Sequence, residues 1–177
     1  MEYTYRTIID PVEHAKLYHK LKEQDLLWVL YPEVEESLWT EDLYIKLNNS
    51  STTRETWLGY VDGELAGIAY LWPFCDSLRT CCAEIGLCAF RPHFKDAARL
   101  ARGCLLEMMR THGGNVQSFI GRVPAVNRHI LAMLGELGFR KVLRIPALCW
   151  FTRLQKHVDG FLVFADTCDI KATVEVE

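Results

Sequence analysis

The sequence has no run of about 18 consecutive apolar residues, so no helix across a membrane is expected. It lacks a strong excess of either charge. Its 20 Lys and Arg stand against 23 Asp and Glu, a net charge of −3. That is too little to argue for a polyanionic partner, and neither nucleic acid nor an anionic membrane surface is expected. The opening Met1-Glu2-Tyr3-Thr4-Tyr5-Arg6 lacks the basic segment followed by an apolar one that marks a secretory leader, so the expected location is the cytoplasm. No Cys-x-x-Cys pair occurs. The seven cysteines, at 75, 81, 82, 88, 104, 149 and 168, are odd in number and lie mostly in apolar runs, which reads as reduced core thiols. Cys75, Cys81 and Cys82 cluster, and a metal or disulfide there is the minor reading. His14 and His19 are five apart on an expected helix, not the four that would stack a ligand pair, and no metal site is expected. Internal repeats and low-complexity linkers are absent.

What is present is enough apolar material for one core: 177 residues, 50% hydrophobic. Tyr3 to Ile9 alternates as a first strand. Asp10-Pro11 then supplies an N-cap and a proline at the first helical position, and Ala15, Leu17, Tyr18 and Leu21 give the helix a buried face as far as Gln24. Leu26 to Leu30 and Leu38 to Leu47 suggest a further helical region broken at Pro32 and ended by the loop Asn48-Asn49-Ser50-Ser51. Thr56 to Val61 and Leu65 to Trp72 alternate around Asp62-Gly63, a hairpin signal because both turn residues tolerate positive φ. A strand over Ala83 to Phe90 ends at Pro92. Asp96 to Arg110 has helical rows, Ala97, Ala101, Leu105 and Met109 beside Leu100, Cys104 and Met108, and Gly113-Gly114 stops it.

Gln117 to Val123 and Lys141 to Ile145 read as strands flanking a short helix, with Asn127 as its cap and Gly138 as its left-handed stop. Ala147 to Thr152 reads as a last core strand. Val158 to Val176 reads as an extra hairpin in a C-terminal extension, residues 156–177, following a domain of residues 1–155. The end segment, Thr173 to Glu177, has the alternation to pair with the sheet edge of a second copy, as a homodimer.

Three words in order resemble the GNAT acetyltransferase family: the Asp62-Gly63 hairpin, the strand Ala83-Glu84-Ile85-Gly86-Leu87-Cys88-Ala89-Phe90-Arg91-Pro92 followed by a helix, and Asn127 with Leu137-Gly138-Phe139. The resemblance covers residues 3 to 152. It implies a single-domain α/β fold with a mixed, mostly antiparallel sheet flanked by helices, and acetyl-coenzyme A as cofactor. By the same resemblance, Leu87, Cys88, Ala89 and Phe90 receive the thioester and pantetheine arm. The loop Gln/Arg-x-x-Gly-x-Gly/Ala that cradles the pyrophosphate falls on Lys95, Asp96, Ala97, Ala98, Arg99 and Leu100. Asn127 is a further candidate cofactor contact, beside its role as a helix cap.

Helix N-termini bind phosphate through unpaired N–H groups and the macrodipole. Here Lys95 keeps the basic residue, while Ala98 and Leu100 add side chains where the family has glycine or another small residue, with leucine the greater obstruction. Asp96 is placed to compete with a phosphate for the same amides. The segment from Arg91 to Arg128 nevertheless carries seven Lys/Arg against Asp96 and Glu107, which reads either as a solvated helix face or as a phosphate-facing surface.

Glu84, in an otherwise apolar strand, is the candidate catalytic base or an exposed strand-end carboxylate. Leu134 stands where many family members place a proton-donating tyrosine. Cys88 has no partner histidine identifiable by spacing. Residues 1 to 50 hold ten acids and five Lys/Arg, which favours a cationic amine acceptor. Trp28, Tyr31, Trp39 and Trp72 either line its pocket or belong to the core. The resemblance therefore implies an acetyl-coenzyme A-dependent N-acyltransferase that acts directly on a primary amine of a small molecule or protein. The altered phosphate loop and Leu134 equally fit a member that has lost catalysis and serves as a binding or assembly module.

Overall fold

The computed structural model describes residues 1–8, 10–30, 36–49, 54–73, 82–113, 115–151 and 154–172. In chain order the elements are β1 (Tyr3–Ile8), α1 (Pro11–Glu23), α2 (Leu27–Leu30), α3 (Glu41–Asn49), β2 (Glu55–Val61), β3 (Glu64–Pro73), β4 (Cys82–Ala89), α4 (Ala97–His112), β5 (Ser118–Pro124), α5 (Arg128–Glu136), β6 (Arg140–Phe151), β7 (Lys156–Asp166) and α6 (Thr167–Ala172). Short 3-10 turns cover Glu36–Leu38 and His93–Asp96.

The strands form one mixed sheet in the order β1-β2-β3-β4-β5-β7-β6. Its β4–β5 pair is parallel, joined by the α4 crossover, and the other pairs are antiparallel. Period-two alternation sends neighbouring residues to opposite faces, and both faces are buried. Trp57, Ala69, Leu71, Ile85 and Phe119 meet Leu105 and Met108 of α4 and Leu131 and Leu134 of α5. Leu58, Ile68 and Tyr70 meet Leu17, Tyr18 and Leu21 of α1 and Tyr44 of α3. The result is a three-layer α/β fold with helices on each side of the sheet.

Local chemistry sets the boundaries. The Asp10 carboxylate accepts the Val12 N–H at 2.9 Å and caps α1 with Pro11 inside the first turn. The β2–β3 turn places Asp62 at φ 49° and Gly63 at φ 82°, the mirror-image turn that matches the twist of paired strands. At the end of α5, Gly138 at φ 91° lets the Phe139 N–H reach back to the Leu134 carbonyl at 2.9 Å. No helix among the described residues is long and apolar enough to cross a membrane.

Three expectations change. The loop expected at Asn48 begins later: α3 runs through Asn49, and the buried Asn48 side chain donates to the Tyr44 carbonyl at 2.8 Å. Ser50 and Ser51 lie outside the described residues, as do Ile9, Pro32, Cys75, Cys81, Gly114 and Thr173 to Glu177. Thr152 lies outside the described residues, and Lys141–Ile145 and Ala147–Phe151 are not two strands. They share β6, which passes Pro146 by an irregularity between Ile145 and Cys149 with Ala147 at φ 51°. Residues 156–172 form no hairpin of their own: β7 enters the sheet between β5 and β6, and α6 follows it.

Candidate functional site

The parallel β4–β5 pair holds together over only three residue pairs, Cys82 with Ser118, Ala83 with Phe119 and Glu84 with Ile120. Beyond Glu84 the two strands part, and no other described strand fills the gap. Main-chain groups of β4 on that side are left without a ladder partner, in a position to meet a ligand instead. A cavity of about 610 Å³ opens along the parting. It is walled by Leu87, Cys88 and Ala89 of β4, by Ala97 at the start of α4 and by Asn127 and Ile130 at the start of α5. At its other end it reaches Gln24, Asp25 and Leu26 after α1 and Val29 of α2. A smaller cavity of about 50 Å³ lies in the crotch of the parting, against Gly86, Gly121, Met133 and Leu134.

Of the residues expected to hold the cofactor, Leu87, Cys88, Ala89, Ala97 and Asn127 therefore line one cavity. Phe90 does not. It is fully buried in the core under α1, with its N–H on the Ala66 carbonyl at 2.8 Å and Lys20 Nζ 4.8 Å from its ring. Lys95 and Arg99 are exposed at the start of α4, and Ala98 is half-buried beside them.

The two expected obstructions at this loop take other forms. Asp96 precedes α4 but makes no capping bond to its amides. Its carboxylate is buried, 3.4 Å from the Tyr3 hydroxyl through Oδ1 and 3.8 Å from His93 Nδ1 through Oδ2. Leu100 fills the space between α4 and the sheet. A Cβ at Gly59 would lie 3.2 Å from Leu100 Cδ2, so this glycine of β2 makes room for the leucine, whereas a Cβ at Gly67 would meet the Cys88 carbonyl at 3.0 Å and Leu100 only at 3.6 Å. Leu100 also lines the large cavity, and the Ala97 N–H at the start of α4 donates to the Phe94 carbonyl.

Asn127 occupies the cap position of α5, yet its side chain makes no capping bond; its backbone carbonyl accepts the Leu131 N–H at 3.1 Å. The side chain lines both cavities. Leu134 is buried in the floor of the smaller one and brings no proton donor there. Burial pushes the Cys88 thiol up to about 12, so at neutral pH it is protonated and a poor nucleophile.

Glu84 departs furthest from expectation. It stands in the closed part of the β4–β5 pair and accepts from Arg122, at 2.7 Å from Nε and 2.5 Å from Nη2. It is on the wall of neither cavity. Its carboxylate is engaged as the ion-pair partner of Arg122, which lines the smaller cavity.

The tryptophans give less than expected. Trp39 is core, Trp72 is exposed with the Arg54 guanidinium 4.4 Å above its ring, and Tyr31 and the Trp28 side chain lie outside the described residues. Residues that the sequence reading passed over are Gln24, Asp25 and His129, all on the large cavity, which also reaches Arg91 of the basic segment. The Gln24 Oε1 accepts the Arg91 N–H at 2.9 Å, tying the end of α1 to the end of β4. A legible signal existed only for α5, where Asn127, Ile130 and Leu134 follow helical spacing. Among the described residues no group of His, Cys, Asp and Glu could hold a metal ion.

No protein-family model and no curated protein sequence matches the chain. Solved structures do. Spermidine N-acetyltransferase from Vibrio cholerae, in complex with CoA and spermine, superposes with a TM-score of 0.76 at 14% identity, over 96% of this chain and 98% of that one. An acetyltransferase of the GNAT family from Streptococcus pneumoniae gives 0.70 at 16%, over 93% and 99%. The yncA protein of Salmonella typhimurium, solved with its cofactor acetyl-CoA, gives 0.70 at 13%, over 94% of each chain. Across nearly its whole length, then, this chain has the fold of the GNAT acetyltransferases.

Proposed function

We propose that the chain is an acetyl-CoA-dependent N-acetyltransferase that transfers the acetyl group directly to a primary amine. The observation that carries this reading is the parting of β4 and β5 over a cavity that joins the start of α4 and α5 to the end of α1. Solved proteins of this fold include ones holding CoA or acetyl-CoA, and one holds spermine as well.

When bound, acetyl-CoA supplies a thioester-activated acetyl group. In this chain, Leu87 to Ala89 would hold its arm along the open side of β4, with Asn127 and Ile130 closing the opposite wall. The start of α4 would take the diphosphate, with Lys95 and Arg99 adding positive charge. The acceptor would enter past Gln24, Asp25 and Leu26. The protonated state of Cys88 supports direct attack by the amine over a covalent cysteine intermediate. His129 is the imidazole on the cavity wall and the candidate for receiving the amine's proton. Leu134 offers none, so water serves any protonation at the small cavity.

Incubating the protein with acetyl-CoA and a panel of primary amines, with thiol release followed by absorbance and products by mass spectrometry, tests the reading. The expected result is acceptor-dependent thiol release, an acetylated amine, and no acetylated protein when the acceptor is omitted. Acetyl-CoA binding without transfer to any amine would favour the alternative, a binding or assembly module, which the leucine at position 134 supports.

A further inference from the structure

The acceptor end of the large cavity is mostly apolar, walled by Leu26, Val29, Ile68 and Cys88. One carboxylate, Asp25, is on the wall of this cavity among the described residues. Its backbone explains how it comes to be there. At the end of α1 the Leu26 N–H reaches back to the Leu21 carbonyl at 2.9 Å, the same closure that α5 makes after Gly138. The residue inside that closure must be left-handed, and Asp25 has φ 56°. Glycine is usual at such a position, and another residue there costs of order 1 kcal/mol. The chain carries that cost while placing an exposed carboxylate on the cavity, beside the Gln24 contact with Arg91 that fixes this corner to β4, and Arg91 is on the same cavity wall.

We propose that Asp25 is the acceptor's cation anchor and selects amines that carry a second ammonium group. The inference rests on the acceptor role given above to this end of the cavity. A carboxylate favours the protonated form of a bound amine. A protonated amine has no lone pair with which to attack a carbonyl carbon, so the group held by Asp25 is not the group that reacts. The acceptor must then present two amino groups. Leu26, Val29 and Ile68 suit an alkyl chain between them.

Calorimetric titration of the full chain with an unbranched alkyl diamine and the alkyl monoamine of equal length tests this without requiring turnover. The wild type is expected to bind the diamine about tenfold more tightly, as a charge-assisted contact in a half-enclosed site allows. Asp25→Asn and Asp25→Gly should each bring the two amines within about twofold of one another while shifting acetyl-CoA affinity by less than about twofold. Asp25→Gly should also melt higher than the wild type, which shows that the lost preference does not come from unfolding. A wild type without the preference, or variants that retain it, would overturn the proposal. Asp25-dependent diamine binding with no binding of acetyl-CoA would leave the anchor standing and remove the acetyltransferase reading instead.

Discussion

Leu100 gives the sharpest test of how this chain keeps an open helix end without the family's small residue. Its side chain is 5% exposed and fills the gap above Gly59 and Gly67. Leu100→Ala removes three carbon groups from that gap. At about 0.8 kcal/mol each, the transfer contribution is about 2.4 kcal/mol. The unfilled space raises the total toward about 5 kcal/mol, because α4 is held by Leu105 and Met108 and cannot settle fully onto the sheet. For a 177-residue chain, at about 2.7 °C per kcal/mol, the melting temperature should fall by about 7 to 13 °C. Acetyl-CoA affinity should not improve, since the leucine, although on the cavity wall, packs onto the sheet at Gly59. Urea denaturation with calorimetry on the same variant measures both quantities. A variant that binds acetyl-CoA about tenfold more tightly with little loss of stability would show that Leu100 obstructs the site, and would refute the packing argument.

Two further outcomes follow from buried charge. Glu84→Gln should cost about 1 to 3 kcal/mol by weakening the partner of Arg122, with turnover changed by less than about twofold; a collapse of turnover with unchanged urea midpoint would return Glu84 to the mechanism. His14 is fully buried, neither ring nitrogen has a hydrogen-bond partner among the described residues, and desolvation holds its pKa below the ordinary histidine value of about 6.5. Above that value both folded and unfolded chains carry it neutral. As pH falls through it the unfolded chain takes up a proton that the folded chain resists, so stability is full at higher pH and declines toward the depressed folded pKa. Urea midpoints at about pH 7.5 and about pH 5.5 should therefore differ less in His14→Phe than in the wild type, and equal differences would remove His14 from the acid sensitivity.

Where neighbours in sequence are neighbours in space, the reading from residues was sound. Asp10-Pro11, Asp62-Gly63 and Gly138 act through bonds to residues a few positions away, and α4 shows its buried rows in its spacing. The misreadings have a common cause. Pro146 looks like a strand end because it lacks an N–H, but β6 passes it through an irregularity that the sequence does not mark. The place of β7 between β5 and β6 is set by sheet order, which chain order does not reveal. Glu84 reads as a lone carboxylate until Arg122, 38 residues on, is brought beside it. Asp96 and Leu100 look obstructive by type, and their contacts with Tyr3 and Gly59 come from segments distant in the sequence. Asp25 was hidden because its left-handed backbone places it on the cavity, and a sequence ending a helix without glycine gives no hint of that conformation.

The measurement bearing most directly on the central claim is a calorimetric titration of the wild-type protein with acetyl-CoA. If the opening between β4 and β5 and the start of α4 form a cofactor site, binding will be saturable, of one molecule per chain, with a dissociation constant in the micromolar range. Absence of heat and of any thermal shift at millimolar acetyl-CoA would contradict it, and would leave the fold without the chemistry.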